Sequence, residues 1–353
     1  MSRVTSKLSR QDEVTIQTMS PKSWPRKITR RNFLEGTIQT SAAFLVGDLF
    51  SGVEQSLNAA IEKKGLSQFT RTKPLRSVVE DDRDISTVKA VQHIRRMRGG
   101  AQAHLFRCSD GHFYVVKFRN NPQHLKVLAN EMLVALLANL AGLPVPRVAI
   151  VDVAGCLIGN TPELKMELST HSVACVSGLQ FGSQYVVTPW DGQVLDYLPS
   201  DMLARVRNIK SFAGILALDK WTSNTDGRQA AFWRWMREKK YTATFIDQGY
   251  CFNGGEWTFP DYALRGVFPD NEVYDHVCNW ESFEPWLSRI EHMSEDKIWL
   301  AAGSVPPDWY LSDWHSLEKL VETLLQRQTL VRDLITAFRT SIRQPFPKWT
   351  LTS

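Results

Sequence analysis

The sequence predicts an α+β chain, and one arrangement that the order of its patterned segments permits is two-lobed, a small mixed β/α lobe followed by a larger, mainly helical one. Three observations predict it. Two alternating apolar segments, around residues 103–107 and 113–118, flank Ser109, Asp110 and Gly111. A helical pattern and further strand-like segments follow directly, and from about Trp280 to residue 343 the chain reads as helix, with Leu317, Leu320, Leu324, Val331 and Leu334 repeating on one face.

The Asp110-Gly111 pair between alternating runs is a hairpin signal, because glycine supplies the positive φ that a tight turn needs. Asn120, Asn121 and Pro122 then predict a helix start, and Leu125, Leu128, Met132, Leu136 and Leu140 continue at helical spacing until Gly142 closes it. Residues 145–153 read as a strand, and Gln184, Tyr185, Val186 and Val187 as another after the glycine-bearing stretch 178–182. A long helix is expected over 199–222, opened by Pro199, Ser200 and Asp201 and carrying Met202, Val206, Ile209, Phe212, Ile215 and Leu216. Two strands follow, around 230–235 and 241–246, joined by the charged turn from Arg237 to Lys240.

Residues 1–85 are polar and broken by Pro21, Pro25 and Pro74, which predicts a largely disordered extension with at most one helix near residues 32–50. The folded domain is expected over 86–349, with the first lobe at about 86–190 and the second at about 191–349. Within the extension, Thr29 to Leu34 with Arg30 and Arg31 resembles a twin-arginine export signal. The apolar run after it, residues 36–47, is about half the length needed to span a bilayer, so no transmembrane anchor is expected.

The chain has 353 residues, of which 43% are hydrophobic and 22% charged, the balance of a globular protein. Its net charge of +5 is concentrated in the first 31 residues and in Arg95, Arg96 and Arg98, too locally for a general nucleic-acid binder. Five scattered cysteines with no close pair support neither a disulfide framework nor a structural zinc site. His93, His104, His112 and His124 form no metal-ligand pair and read as surface residues, and the tryptophans of the helical end read as core packing. No phosphate-loop, dinucleotide or nucleophile-elbow motif is present.

Two groups of residues carry the chemistry. Gly99 and Gly100 would let the backbone approach phosphates, Lys117 would neutralise phosphate oxygens, and Glu131 would hold the Lys117 ammonium in place. Lys117 interrupts the apolar run from Val115 to Phe118, and a charge there needs a partner or a ligand. The second group is Asp219, Asn224 and Asp226, followed by Asp247 at the end of a strand: oxygen ligands of the kind magnesium prefers, and a carboxylate able to take a hydroxyl proton. Asp219 also reads as a capping residue.

Asn130 and Glu131, the run from Gly142 to Pro146, Phe181 to Ser183, Asp219 to Thr222 with Asn224, Asp226 to Gln229, and Ile246 to Phe252 together resemble the HipA-like kinases, bacterial relatives of the HipA toxin kinase. The similarity runs from about residue 88 to about 349 and includes Glu256, Trp257 and the run from Pro306 to Tyr310. It implies a bilobal protein-kinase and phosphatidylinositol-kinase-like fold, ATP and Mg2+ as cofactors, and transfer of the γ-phosphate to a protein Ser/Thr hydroxyl or to a small molecule. It implies Asp247 as metal ligand and Asp226 as catalytic base. In the family pattern a metal-binding asparagine follows the catalytic aspartate by five residues, where this chain has Ala231. The other register, Asp219 as base and Asn224 as ligand, restores that spacing. Two functions follow: a phosphotransferase, or a catalytically impaired relative that binds nucleotide or a partner. ATP use implies the cytoplasm, and the twin-arginine resemblance implies export.

Overall fold

The structure, a computed structural model, describes residues 85–349; the N-terminal extension and its Arg30-Arg31 pair lie outside the described residues. The elements in chain order begin with β1 (Thr87–Arg96), β2 (His104–Cys108), β3 (Phe113–Lys117), α1 (Val127–Ala141) and β4 (Val148–Val153). They continue with α2 (Gly155–Gly159), β5 (Lys165–Glu167), β6 (Ser172–Ala174) and β7 (Gly178–Gln184). β1, β2, β3, β7 and β4 close into a barrel in that order. All its pairings are antiparallel except β1 with β4, which closes it in parallel. Val88, Phe106, Tyr114, Val116, Phe118, Ala149, Val151 and Val153 fill one continuous core with Met166 from β5. β5 and β6 form a separate two-stranded sheet.

The predicted hairpin forms around Asp110, whose side chain accepts the His112 amide and the Tyr114 hydroxyl. The helix expected from Asn120 starts later, at Val127, because Asn121 has another task. Its Nδ2 donates to the Ala101 carbonyl, and its Oδ1 accepts from the Gln123 amide, tying the β1–β2 turn to the segment before α1. Leu125 is therefore left outside and exposed. The strand expected over 184–187 lies instead over the glycine-bearing stretch that was to precede it, since β7 is Gly178–Gln184. Gly182 makes that possible: a Cβ there would lie 2.4 Å from Val151 Cγ2 on the neighbouring strand β4. His104, expected at the surface, is fully buried, its Nδ1 3.0 Å from His93 Nε2, and burial pushes it down to about 4.

After β8 (Gly192–Leu195), the long helix expected over 199–222 breaks into a 3-10 turn at Ser200–Arg205 and α3 (Ser211–Trp221). Between them the chain runs beside the next strands: the Arg207 amide donates to the Tyr241 carbonyl, and the Asn208 side chain pairs with both backbone groups of Ala243. α3 is buried on every side. β9 (Gln229–Trp235) and β10 (Thr242–Ile246) form a three-stranded sheet with β8. The helical end comprises α4 (Trp286–Glu291), α5 (Glu295–Gly303), α6 (Trp314–Arg327) and α7 (Val331–Arg339), punctuated by short 3-10 turns. α1 packs against β4 and β7 on one side and α4 and α5 on another, and α3 against α4 and α7. Among the described residues no helix is long and apolar enough to cross a membrane.

Candidate active site

Lys117 ends β3 at the barrel rim, with only 8% of its surface exposed. A buried ammonium requires compensating charge, and two carboxylates provide it. Nζ donates to Glu131 Oε1 of α1 and, at 2.9 Å, to Asp247 Oδ1 just after β10. Burial alone would lower the ammonium's pKa, but the two carboxylates outweigh it and hold Lys117 above its ordinary value. Burial likewise opposes ionisation of Asp247, yet the Lys117 charge and hydrogen bond keep this carboxyl below the usual range. Three residues from three separate elements, 130 positions apart at the extreme, thus form one ionic cluster. Asp247 uses one oxygen for Lys117, and the other accepts at 2.8 Å from Gln229 Nε2, the exposed first residue of β9. That second oxygen, on a side chain 22% exposed, fits a divalent cation that shares phosphate ligands, which needs only one or two protein carboxylates.

The Asp247 turn is held from below. Asp247 itself has φ +63, and Gly249 follows it where a Cβ would sit 2.8 Å from Val127 Cγ2 and 3.3 Å from Glu131 Oε1. Only glycine lets this turn close over α1. Asn130, fully buried on α1, donates through Nδ2 to the carbonyls of Gly249, Cys251 and Gly254 at 2.8–2.9 Å and accepts from Trp257 Nε1 at 2.8 Å. One side chain therefore fixes the whole segment that follows Asp247.

Gly99 and Gly100 lie in the turn between β1 and β2. The register pairs Arg96 with His104 and His104 with Val116, so this turn and Lys117 share one end of the barrel. A Cβ on Gly99 would meet nothing within 4 Å, and one on Gly100 would meet only Gln123 Nε2.

Asp219 is wholly buried in α3 and paired with the equally buried Arg228, whose Nε donates to its Oδ2 at 2.8 Å. Arg228 also donates through Nη1 to the Ile246 carbonyl at 2.9 Å and to Gln248 Oε1 at 2.6 Å, so the pair braces the backbone around Asp247. Asn224 is buried too, with Nδ2 on Asp219 Oδ1 at 3.0 Å and Oδ1 accepting the Asp226 amide at 3.1 Å. Neither side chain is open to a substrate or an added cation in this arrangement. Asp226, by contrast, is exposed. Its loop meets the Asp247 loop through the Thr225 amide, which donates to the Tyr250 carbonyl at 3.1 Å. Burial and then the Asp226 and Asp247 charges raise the Tyr250 pKa. Ala231 lies on β9 opposite Thr244, whose Oγ1 is taken by Trp233 Nε1.

Arg228, Gln229 and Asn130 stand in the motifs read from sequence, but their roles did not show there, because their partners are distant in the chain. Lys220 is a further case. Its Nζ donates to the carbonyls of Tyr262, Ala263 and Arg265 at 3.3, 2.8 and 2.6 Å, pinning the segment that runs back past Asp226.

A family model described as HipA-like kinase matches residues 90–339. No curated protein matches the chain. Solved structures with a similar course include the Golgi casein kinase, at 12% identity and a TM-score of 0.45, covering 76% of this chain and 79% of that one. The Helicobacter pylori proinflammatory kinase CtkA has 13% identity and a TM-score of 0.45 over 74% of this chain and 99% of its own. Hydra Fam20 with sugar has 12% identity and a TM-score of 0.43 over 74% and 89%.

Proposed function

The chain belongs to the HipA-like kinase family, and from that premise we propose that it transfers the γ-phosphate of ATP to a hydroxyl group, that of a protein Ser or Thr in the first instance. The observation that carries this reading is the Lys117, Glu131 and Asp247 cluster, with the exposed Asp226 on a loop that is hydrogen-bonded through Thr225 to the loop after Asp247. Apolar residues of similar volume often serve a scaffold as well as a buried ionic group does, so an ammonium buried between two carboxylates favours a charged ligand. The barrel with α1 corresponds in this reading to the smaller lobe and the remainder to the larger, with ATP between them.

Lys117 would hold phosphate oxygens, with Glu131 fixing its ammonium, and the Gly99-Gly100 turn would lie over the phosphate chain. Asp247 would hold magnesium through the oxygen that Lys117 leaves free. Magnesium, when bound, supplies neutralisation of the charge on the β- and γ-phosphates. Asp226 would orient the acceptor hydroxyl and take its proton as the hydroxyl oxygen bonds to the γ-phosphorus and the bond to ADP breaks. Asp219 and Asn224 would serve as a brace under Asp247, and this favours Asp226 as the base. ATP dependence favours the cytoplasm over export.

Ala231 supports a second reading, a catalytically impaired relative that binds nucleotide without transferring phosphate, since it presents no ligand atom on the strand next to the site. ATP labelled on its γ-phosphate separates the two. Transfer to the chain itself or to a hydroxyl-bearing protein, lost in Asp226→Asn, is expected. Nucleotide binding without any transfer by the wild type would overturn the kinase reading in favour of the second.

A further inference from the structure

Gln229 is the side chain in contact with the free oxygen of Asp247: its Nε2 donates to Oδ2 at 2.8 Å, while Oδ1 is held by Lys117. It opens β9 opposite Ile246, the residue before Asp247, and it is exposed at the mouth of the site. Side chains two apart on a strand share a face, so Gln229, Ala231 and Trp233 project the same way. Of these, Ala231 carries no polar atom and the Trp233 indole is spent on Thr244. Gln229 is thus the one amide that this face directs at Asp247.

We propose that Gln229 is a ligand of the divalent cation, its Oε1 joining Asp247 Oδ2 and the phosphate oxygens in the coordination shell. The inference rests on the reading of Asp247 given above and adds a residue to it. The amide nitrogen faces the carboxylate, since nitrogen is the donor that a carboxylate accepts. The last torsion of a glutamine is broad and two-fold, so a half-turn exchanges Nε2 for Oε1 at the same place and presents a neutral oxygen to the cation. A neutral carbonyl oxygen of this kind suits a hard divalent ion, which takes oxygen ligands and tolerates few additional charges beside phosphates. Gln229 thereby supplies, from two residues earlier and with one more methylene of reach, the amide that position 231 lacks.

The alternative role is positioning alone, with Gln229 acting only as a hydrogen-bond donor that orients Asp247. Substitution by glutamate separates the two roles. A ligand keeps its oxygen and gains charge; a donor is destroyed and replaced by a carboxylate facing a carboxylate. The measurement is Mn2+ affinity, read by electron paramagnetic resonance, of the full chain in the presence of a non-hydrolysable ATP analogue. Analogue affinity without metal is measured alongside it.

Gln229→Ala is expected to weaken Mn2+ binding by about tenfold or more, the scale on which metal sites respond to loss of a supporting group, with metal-free analogue affinity unchanged. Gln229→Glu is expected to bind Mn2+ at least as tightly as the wild type. Weakening by Gln229→Glu as large as that by Gln229→Ala would overturn the ligand role in favour of positioning. Wild-type Mn2+ affinity in Gln229→Ala, with Asp247→Asn deficient, would overturn the inference and leave the Asp247 assignment standing. Unchanged Mn2+ binding in both Gln229→Ala and Asp247→Asn would overturn the two together.

Discussion

Replacing Lys117 by methionine keeps the length and apolar stem of the side chain but removes the charge between Glu131 and Asp247. Asp247, with 22% of its side chain exposed, can regain water. Glu131, at 3% exposure, cannot, and burial already favours its neutral form. An uncompensated buried charge costs about 3–5 kcal/mol, but a carboxyl can escape that cost by taking up a proton. Starting from its ordinary value of 4.5, protonation at pH 7 costs about 1.36 kcal/mol for each of two and a half pH units, a ceiling of about 3.4 kcal/mol. Because the folded variant then binds a proton that the unfolded chain has released, its stability falls as pH rises above 4.5. Lys117→Met should therefore be less stable than the wild type by up to about 3.4 kcal/mol at pH 7 and by less than about 1 kcal/mol at pH 5. Urea unfolding at the two pH values measures both. Adding Glu131→Gln, which removes the need for the proton, should recover most of the loss at pH 7. A deficit equal at both pH values, or one that Glu131→Gln leaves untouched, would refute the account of this cluster.

Other consequences are open to simple measurement. Asp226→Asn should keep wild-type stability and nucleotide affinity while losing phosphoryl transfer, whereas Asp219→Asn should destabilise the fold by about 3–5 kcal/mol because it strands the buried Arg228; loss of transfer in a fully stable Asp219→Asn would reverse the assignment. Asn130→Ala should cost about 3 kcal/mol or more, since it strips a hydrogen bond from four buried partners, and only the Gly249 carbonyl keeps His124 Nε2 while the other three lose about 1–3 kcal/mol each. Asn130→Asp should be worse, because a carboxylate would then face three carbonyl oxygens, and thermal unfolding ranks the two. His104 sits at about 4 against an ordinary 6.5, so the unfolded chain takes its proton first as pH falls. About 3 kcal/mol of stability should be lost between pH 6.5 and 4, and His104→Leu should flatten that part of the stability curve.

What could be read from the sequence was what short range determines. Asp110 and Gly111 fix their hairpin locally, and Lys117 and Asp247 announce themselves because a charge at the end of an apolar strand demands a partner. β1 was not legible: bulges between Ala90 and Gln92 and between His93 and Arg95 break its alternation, and most of it is exposed. The helix start at Asn120 and the helix through Val206 failed for one reason. In both, an asparagine or a backbone amide is committed to a partner far along the chain, Ala101 in one case and Tyr241 with Ala243 in the other. The roles of Asp219 and Asn224 were hidden in the same way. Spacing offered them as base and ligand, and only the fold brings Arg228 against Asp219, Asn224 against the same carboxylate, and Gln248 against Arg228 in turn.

The claim that the Lys117 and Asp247 cluster forms a metal-dependent nucleotide site is tested most directly by titrating a non-hydrolysable ATP analogue into wild type and Asp247→Asn, each with and without Mg2+. In the wild type Mg2+ should tighten binding, and in Asp247→Asn that gain should vanish while the metal-free affinity stays close to the wild-type value. A magnesium-dependent gain of the same size in Asp247→Asn, or no nucleotide binding by the folded wild type at all, would contradict it.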